Sequence, residues 1–232
     1  MIVSFLEGSA YFSLLLTVAV YLGAAWLQRR TGLAILNPIL ISACVIIPIL
    51  LLTGVSIDAY QAGTATLSYL LTPATICLGL SLYEQLQKLK NDLPAILAGV
   101  IAGTISTLGC VLGLALLFRL DRSLAVSLLP KSVTTAIGVV LSEEAGGIPA
   151  LTAAVIALTG LFGNLLGPAL CRLFRITDPL ARGTAYGTAS HVIGTSRAVQ
   201  EGPLTAAVSS LSLSVAGLLT AVLFPFVTPL LT

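Results

Sequence analysis

Six stretches of this chain contain no Asp, Glu, Lys or Arg: 8–28, 31–57, 59–83, 93–118, 145–171 and 202–232. Each is long enough to cross a hydrocarbon core of about 30 Å, which takes about 20 helical residues. Backbone in lipid must satisfy its own hydrogen bonds, so apolar runs of this length fold as helices. Composition agrees: 57% of residues are hydrophobic and 9% are charged, against roughly a quarter charged in soluble domains. The expected fold is an all-α polytopic membrane protein with about six transmembrane helices, lying in the cell (inner or cytoplasmic) membrane. A net charge of +2 leaves no basic face for nucleic acid. The segment Met1-Ile2-Val3-Ser4-Phe5-Leu6-Glu7 lacks the basic start of a cleavable signal.

Two shorter stretches remain to be placed, 123–142, interrupted only by Lys131, and 183–196. The positive-inside rule decides between spanning and re-entrant readings. Arg29-Arg30 and Lys88 with Lys90 fall on one side, which is therefore cytoplasmic. Were 123–142 to cross, Arg172, Arg175 and Arg182 would lie outside and the bias would vanish. The rule therefore favours a re-entrant hairpin at 123–146, entering from outside, and a second at 180–200, entering from the cytoplasm. Both termini are then expected outside. Arms of about ten residues reach about 15 Å, half the core, so the tips are expected to meet near the middle. Non-helical backbone survives at that depth only when protein buries it or water bathes it. Transporters build midplane sites in this way, often from inverted repeats. One membrane domain over 1–232 is expected, and 1–91 and 92–232 are the halves that an inverted repeat would take, with Asn37-Pro38 and Thr72-Pro73 as counterpart breaks.

The hairpins hold the polar chemistry. In Leu129-Pro130-Lys131-Ser132-Val133-Thr134-Thr135, Pro130 interrupts helix while Lys131, Thr134 and Thr135 share a face. A lysine near a hairpin tip is a functional candidate; the alternative is an interfacial lysine that snorkels to water. The second hairpin holds Ser190, Thr195, Arg197 and His191, the one histidine of the chain. Histidine titrates near neutral pH, which makes His191 the proton-coupling candidate. The alternative is a small-residue packing helix whose histidine bonds a neighbouring carbonyl. Hydroxyls, Lys131, Arg197 and helix N-termini together suit an anion, most simply a small carboxylate. The expected binding set is Lys131, Ser132, Thr134, Thr135, Ser190, His191, Thr195 and Arg197, with Asn37 as a membrane-depth amide.

Other features are structural. Cys44, Cys77, Cys110 and Cys171 sit in or beside apolar runs without ligand spacing, and they read as small hydrophobes. No metal or cofactor is expected. Gly99-x-x-x-Gly103, Gly109-x-x-x-Gly113 and Gly163-x-x-x-Gly167 mark tight helix packing, within the chain or between subunits of a homo-oligomer. No nucleophile–base pair or P-loop is present, so enzyme activity is not expected.

Several of these motifs resemble the LrgB family: Pro130-Lys131-Ser132-Val133-Thr134-Thr135, Gly146-Gly147-Ile148-Pro149, and Gly187-Thr188-Ala189-Ser190-His191 through Gly194-Thr195 and Arg197-Ala198. Asn37-Pro38, Pro73-Ala74-Thr75 and Asp178-Pro179 with Ala181-Arg182-Gly183 extend the resemblance over nearly the whole chain. The sequence departs from the family pattern at Ala136, commonly Pro, and at Thr72, commonly Gly. The resemblance implies an antiholin-like protein or regulator of murein hydrolase export, paired with a small LrgA-like membrane partner. It equally implies carriage of small carboxylates, because plastid relatives are similar to glycolate/glycerate translocators and some bacterial members are linked to pyruvate uptake. Holins are generally small, and a chain with this many spans and a polar centre favours the carrier.

Overall fold

The computed structural model describes residues 10–31, 36, 38–70, 73, 76–77 and 90–231. Every regular element among them is helical. The chain divides into two compact units, Met1–Cys77 and Leu78–Thr232.

The first unit contains α1 (Ala10–Thr31), α2 (Pro38–Thr53), α3 (Ile57–Gly63) and α4 (Ala65–Tyr69). The α1 helix is long and apolar enough to span a bilayer, and it ends on Arg29 and Arg30, where cations suit the helix C-terminus. Arg30 lies 4.7 Å from the centre of the Trp26 ring, a cation–π arrangement suited to a wet–apolar boundary. The α2 helix has 16 residues, shorter than a full crossing, and stops where Gly54 takes a left-handed φ of 72°. The expected span over 59–83 includes α3 and α4; its remainder lies largely outside the described residues, as do Asn37 and Thr72. Thr17 of α1 and Tyr60 of α3 share a 2.6 Å hydrogen bond.

The second unit contains α5 (Leu93–Leu117), α6 (Arg122–Leu128), α7 (Thr135–Glu144), α8 (Pro149–Leu173), α9 (Pro179–Glu201) and α10 (Pro203–Val227), followed by a 3-10 turn at Thr228–Leu230. Like α1, the α5, α8 and α10 helices are long and apolar enough to cross a bilayer. Four of the six expected spans are thus single long helices. Core residues gather around Leu108, Val126, Leu129 and Phe224 in one cluster and around Ile96, Val100 and Val208 in another.

The order of elements in 93–146 recurs in 149–202. The α5 and α8 helices both have 25 residues. Both run into a Phe-Arg pair whose arginine is left-handed, Arg119 at φ 50° and Arg175 at φ 55°. Each end closes with a bond back along the helix, Leu120 N–H to the Ala115 carbonyl at 2.9 Å and Ile176 N–H to the Cys171 carbonyl at 2.7 Å, the helix-terminating pattern of a left-handed cap. An aspartate then caps the next helix: Asp121 accepts from Ser123 N–H at 3.0 Å, and Asp178 from Leu180 N–H and Ala181 N–H at 2.8 and 2.9 Å. Bonds from the Ser123 hydroxyl and backbone hold the exposed Asp121 carboxyl below its usual pKa. After each cap comes a broken helical stretch, then a glycine with positive φ (Gly146 at 84°, Gly202 at 136°), then a proline-initiated helix.

Contacts tie the two sides of each broken stretch together. Ile148, which caps α8, donates its N–H to Ser127 Oγ of α6 at 2.7 Å. Across α9, Arg182 Nη2 lies 2.8 Å from Glu201 Oε2; a straight helix of that span would separate them by nearly 30 Å at 1.5 Å per residue. The two stretches thus share one order of elements.

Candidate functional site

The second broken element is a hairpin of two helical arms, 179–189 and 192–201. Helical geometry fails at Ser190 (φ −134°, ψ 16°) and His191 (φ 43°, ψ −139°). A left-handed φ on a residue with a side chain costs roughly 1–3 kcal/mol and persists only where the surroundings enforce it. Here they do. His191 is 4% exposed, and its Nε2 lies 2.9 Å from the Ile156 carbonyl of α8. A carbonyl only accepts, so Nε2 carries the proton. A methyl group at Gly160 would lie 2.7 Å from His191 Cε1, and one at Gly163 would collide with the Ser190 side chain; glycine at both positions admits the tip beside α8. Asn164 of α8 donates to the Ile193 carbonyl at 2.8 Å and to Ser196 Oγ at 3.0 Å, meeting backbone that the break leaves unpaired. Gly160 and Gly163 lie near the middle of α8, so the tip sits halfway along that span.

The open ends of the arms are tied by Glu201. Its carboxylate pairs with Arg182, accepts from Tyr186 Oη at 2.9 Å and lies 3.2 Å from Arg197 Nε. Thr195 Oγ1 donates to the His191 carbonyl at 3.0 Å or shares a proton with Ser209 Oγ at 2.9 Å. The α10 face is equally close: a methyl group at Gly183 would lie 2.7 Å from the Thr205 carbonyl.

The first broken element turns over 129–134, between α6 and α7. Lys131 Nζ donates to Ser132 Oγ at 3.2 Å. Ser132 is buried and, with Pro130 and Val133, lines a small cavity closed by Thr104 and Thr107 of α5, Thr188 of the second hairpin and Thr220 of α10. Its volume is about 10 Å³, room for a single water. Thr104 and Thr188 are 3% and 6% exposed, and neither hydroxyl oxygen has a hydrogen-bond partner in the protein. Leaving a buried hydroxyl unpaired costs about 1–3 kcal/mol. Thr104 lies at the middle of α5. The α7 helix and the 192–201 arm both begin at the hairpin tips, where their N-termini favour negative charge.

The residues expected from sequence divide between two places. Ser132, with Lys131 behind it, stands at the cavity. Thr134 precedes α7 without a side-chain capping bond, and Thr135 is exposed on its first turn. Ser190, His191 and Thr195 face α8 and α10, and Arg197 bonds Glu201 and Gln200. Asn37 lies outside the described residues. Sequence reasoning missed Thr104, Thr107, Thr188 and Thr220. The available signal was faint: Thr104 and Thr107 share a helical face in a charge-free span, and Thr188 belongs to the Gly187-Thr188 motif.

These features define a helical membrane protein with buried polar side chains at two interruptions of its helices. The chain belongs to the LrgB-like family, which matches it over residues 17–230. It is 36% identical over 214 residues to protein YwbG of Bacillus subtilis (strain 168), covering 92% of this chain and 95% of that one. Over 216 residues it is 34% identical to the holin-like protein CidB of Staphylococcus aureus (strain N315), covering 93% and 94%. Protein YxaC of Bacillus subtilis (strain 168) is 35% identical over 220 residues, covering 94% and 95%. No solved structure matches the chain.

Proposed function

We propose that this chain is a secondary carrier, and not an enzyme, for a small monocarboxylate or hydroxycarboxylate of the glycolate, glycerate, pyruvate or lactate type, coupled to protons through His191. It acts in the cytoplasmic membrane, with the two broken elements as re-entrant hairpins. The observation that carries this reading is the pair of unpartnered buried hydroxyls, Thr104 and Thr188, meeting Ser132 at mid-span. Polar and ionisable groups at that depth are rare and by default mark a solute pathway. An inverted repeat around such a pathway would supply two related arrangements for opening to either side. Uptake of labelled monocarboxylates into proteoliposomes holding the purified chain, with and without a pH gradient, tests the reading. Accumulation driven by the gradient supports it, and absence of uptake for all four acids overturns it.

The name of the CidB relatives favours a second reading, a holin-like or antiholin-like regulator of murein hydrolase export and lysis, acting through oligomerisation and with a small LrgA-like partner. A regulator of that kind leaks solute without saturation or gradient dependence, so the same vesicles separate the two.

A further inference from the structure

Where α5 stops, a cavity of about 260 Å³ opens between the end of that helix, the start of α6 and the residue that follows the 3-10 turn. Its walls are Ala115, Leu116, Leu120 and Leu231, together with Arg119 and Arg122. Ala115 and Leu231 are buried in the core cluster around Leu108 and Phe224, so packing fixes the floor. Arg119 is set by the left-handed cap, with its N–H on the Leu116 carbonyl at 3.2 Å and its φ at 50°. Glycine holds such a cap without strain, so the turn itself does not call for arginine. Among the described residues the ion pairs are those of Glu201 with Arg182 and Arg197, and Arg119 and Arg122 have no acid partner. Asp121, between them, spends its Oδ2 on the Ser123 N–H and hydroxyl at 3.0 and 2.6 Å. The α5 helix is long and apolar enough to cross the bilayer. The cavity lies at its last turn, where hydrocarbon gives way to headgroups, and Leu116, Leu117 and Phe118 are exposed beside it.

We infer that this cavity is a binding site for an anionic phospholipid, with the phosphodiester of the headgroup on Arg119 and Arg122 and the acyl chains along Leu116, Leu117 and Phe118. The inference stands whichever functional reading holds. A guanidinium is planar and meets phosphate through two parallel N–H bonds. Two guanidiniums without an acid partner carry the charge that a phosphodiester neutralises. At about 260 Å³ the cavity is smaller than the roughly 300–1,000 Å³ of pockets that enclose a whole small molecule. It admits a headgroup and leaves the chains in the bilayer. A soluble phosphate or carboxylate would gain from the arginines alone and nothing from the apolar rim.

The test is titration of the purified full chain in detergent with phosphatidylglycerol and, separately, phosphatidylcholine of the same acyl chains, with bound lipid counted by native mass spectrometry. An interfacial arginine contributes about fivefold to affinity for an anionic lipid, so phosphatidylglycerol is expected to bind at least about tenfold more tightly. Arg119→Gln and Arg122→Gln each lower that preference by about fivefold, and Arg122→Lys, which keeps the charge but not the fork, lowers it less. Arg175→Gln, at the matching left-handed end of α8, leaves the preference unchanged. Both lipids are read on the same variant, so a changed ratio is not a loss of folding. Equal affinity for the two lipids, an unchanged ratio in the Arg119→Gln/Arg122→Gln double variant, or an equal fall in Arg175→Gln overturns the site. Glycerol phosphate supplies the headgroup chemistry without acyl chains and is expected not to displace bound phosphatidylglycerol. Displacement at equal concentration gives the cavity to a free anion and overturns the lipid assignment.

Discussion

Arg182 and Glu201, at opposite ends of α9, are joined by a 2.8 Å ion pair. That pair makes α9 a hairpin, because the two residues approach only if the chain reverses between them. The reversal falls on Ser190 and His191, the pair with non-helical backbone. Glu201 then serves three partners at once, with its side chain 10% exposed and those of the arginines near 25%.

Removing that hub should loosen the hairpin. Hydrogen bonds to a charged group contribute about 1.5–3 kcal/mol, and partial solvent access reduces this to about 1–2 kcal/mol. Glu201→Ala is expected to lower the thermal midpoint in detergent most, Arg182→Met less, and Arg197→Met least, since Arg197 makes the longer, neighbouring-turn contact. Equal midpoints across the three variants would contradict the hub.

Close packing supplies a sharper contrast. A methyl group at Gly183 meets the Thr205 carbonyl at 2.7 Å and Val208 Cβ at 2.8 Å, whereas one at Gly109 meets nothing within 4 Å. Gly183→Ala is expected to destabilise by about 1–3 kcal/mol through overpacking. Gly109→Ala is expected to be neutral or to stabilise by up to about 1 kcal/mol through helix propensity. Thermal melts of the two variants side by side check the ranking.

Four of the expected spans were legible because charge is excluded from long apolar helices, and the 180–200 stretch stood out because Arg182 and Arg197 bracket a run too short to cross. The location of the break was not legible. Gly187 and Gly194 look like the turn, yet Gly187 presses on the Ser209 carbonyl, and a methyl group at Gly194 would lie 2.5 Å from the Tyr186 carbonyl. Those glycines are used for contact, and the strained turn passes to Ser190 and His191. The cavity threonines were hidden for another reason. Hydroxyls inside apolar helices commonly bond their own preceding turn, as Ser210 does to Ala206 and Ser214 to Ser210. Nothing in sequence marks Thr104 as an exception.

Topology can be read by chemical labelling. The α8 helix separates position 144 from position 176 and is long enough to span. In a background without the four native cysteines, single cysteines replacing Glu144 and Ile176 should react with impermeant reagent from opposite sides of sealed vesicles. Labelling from one side refutes the hairpin assignment at 123–146 or the span count.

Lys131 and His191 should fail differently when replaced, because they stand in different surroundings. Lys131 donates to Ser132 at the cavity wall, so on the carrier reading its charge would act on a bound anion through that hydroxyl. Lys131→Met removes a charge-assisted contribution of about 1.5–3 kcal/mol, which weakens substrate binding by roughly 10- to 150-fold. His191 faces α8, with its Nε2–H on the Ile156 carbonyl. Glutamine at 191 retains a donor for that carbonyl but does not titrate. His191→Gln is therefore expected to preserve exchange of labelled substrate across vesicle membranes while abolishing accumulation driven by a pH gradient. Wild-type accumulation in His191→Gln removes His191 as the coupling residue, and unchanged uptake in Lys131→Met moves the anion site away from the first hairpin. If both exchange and accumulation vanish in His191→Gln, the residue serves to hold the left-handed turn against α8, and coupling has to be sought at another group.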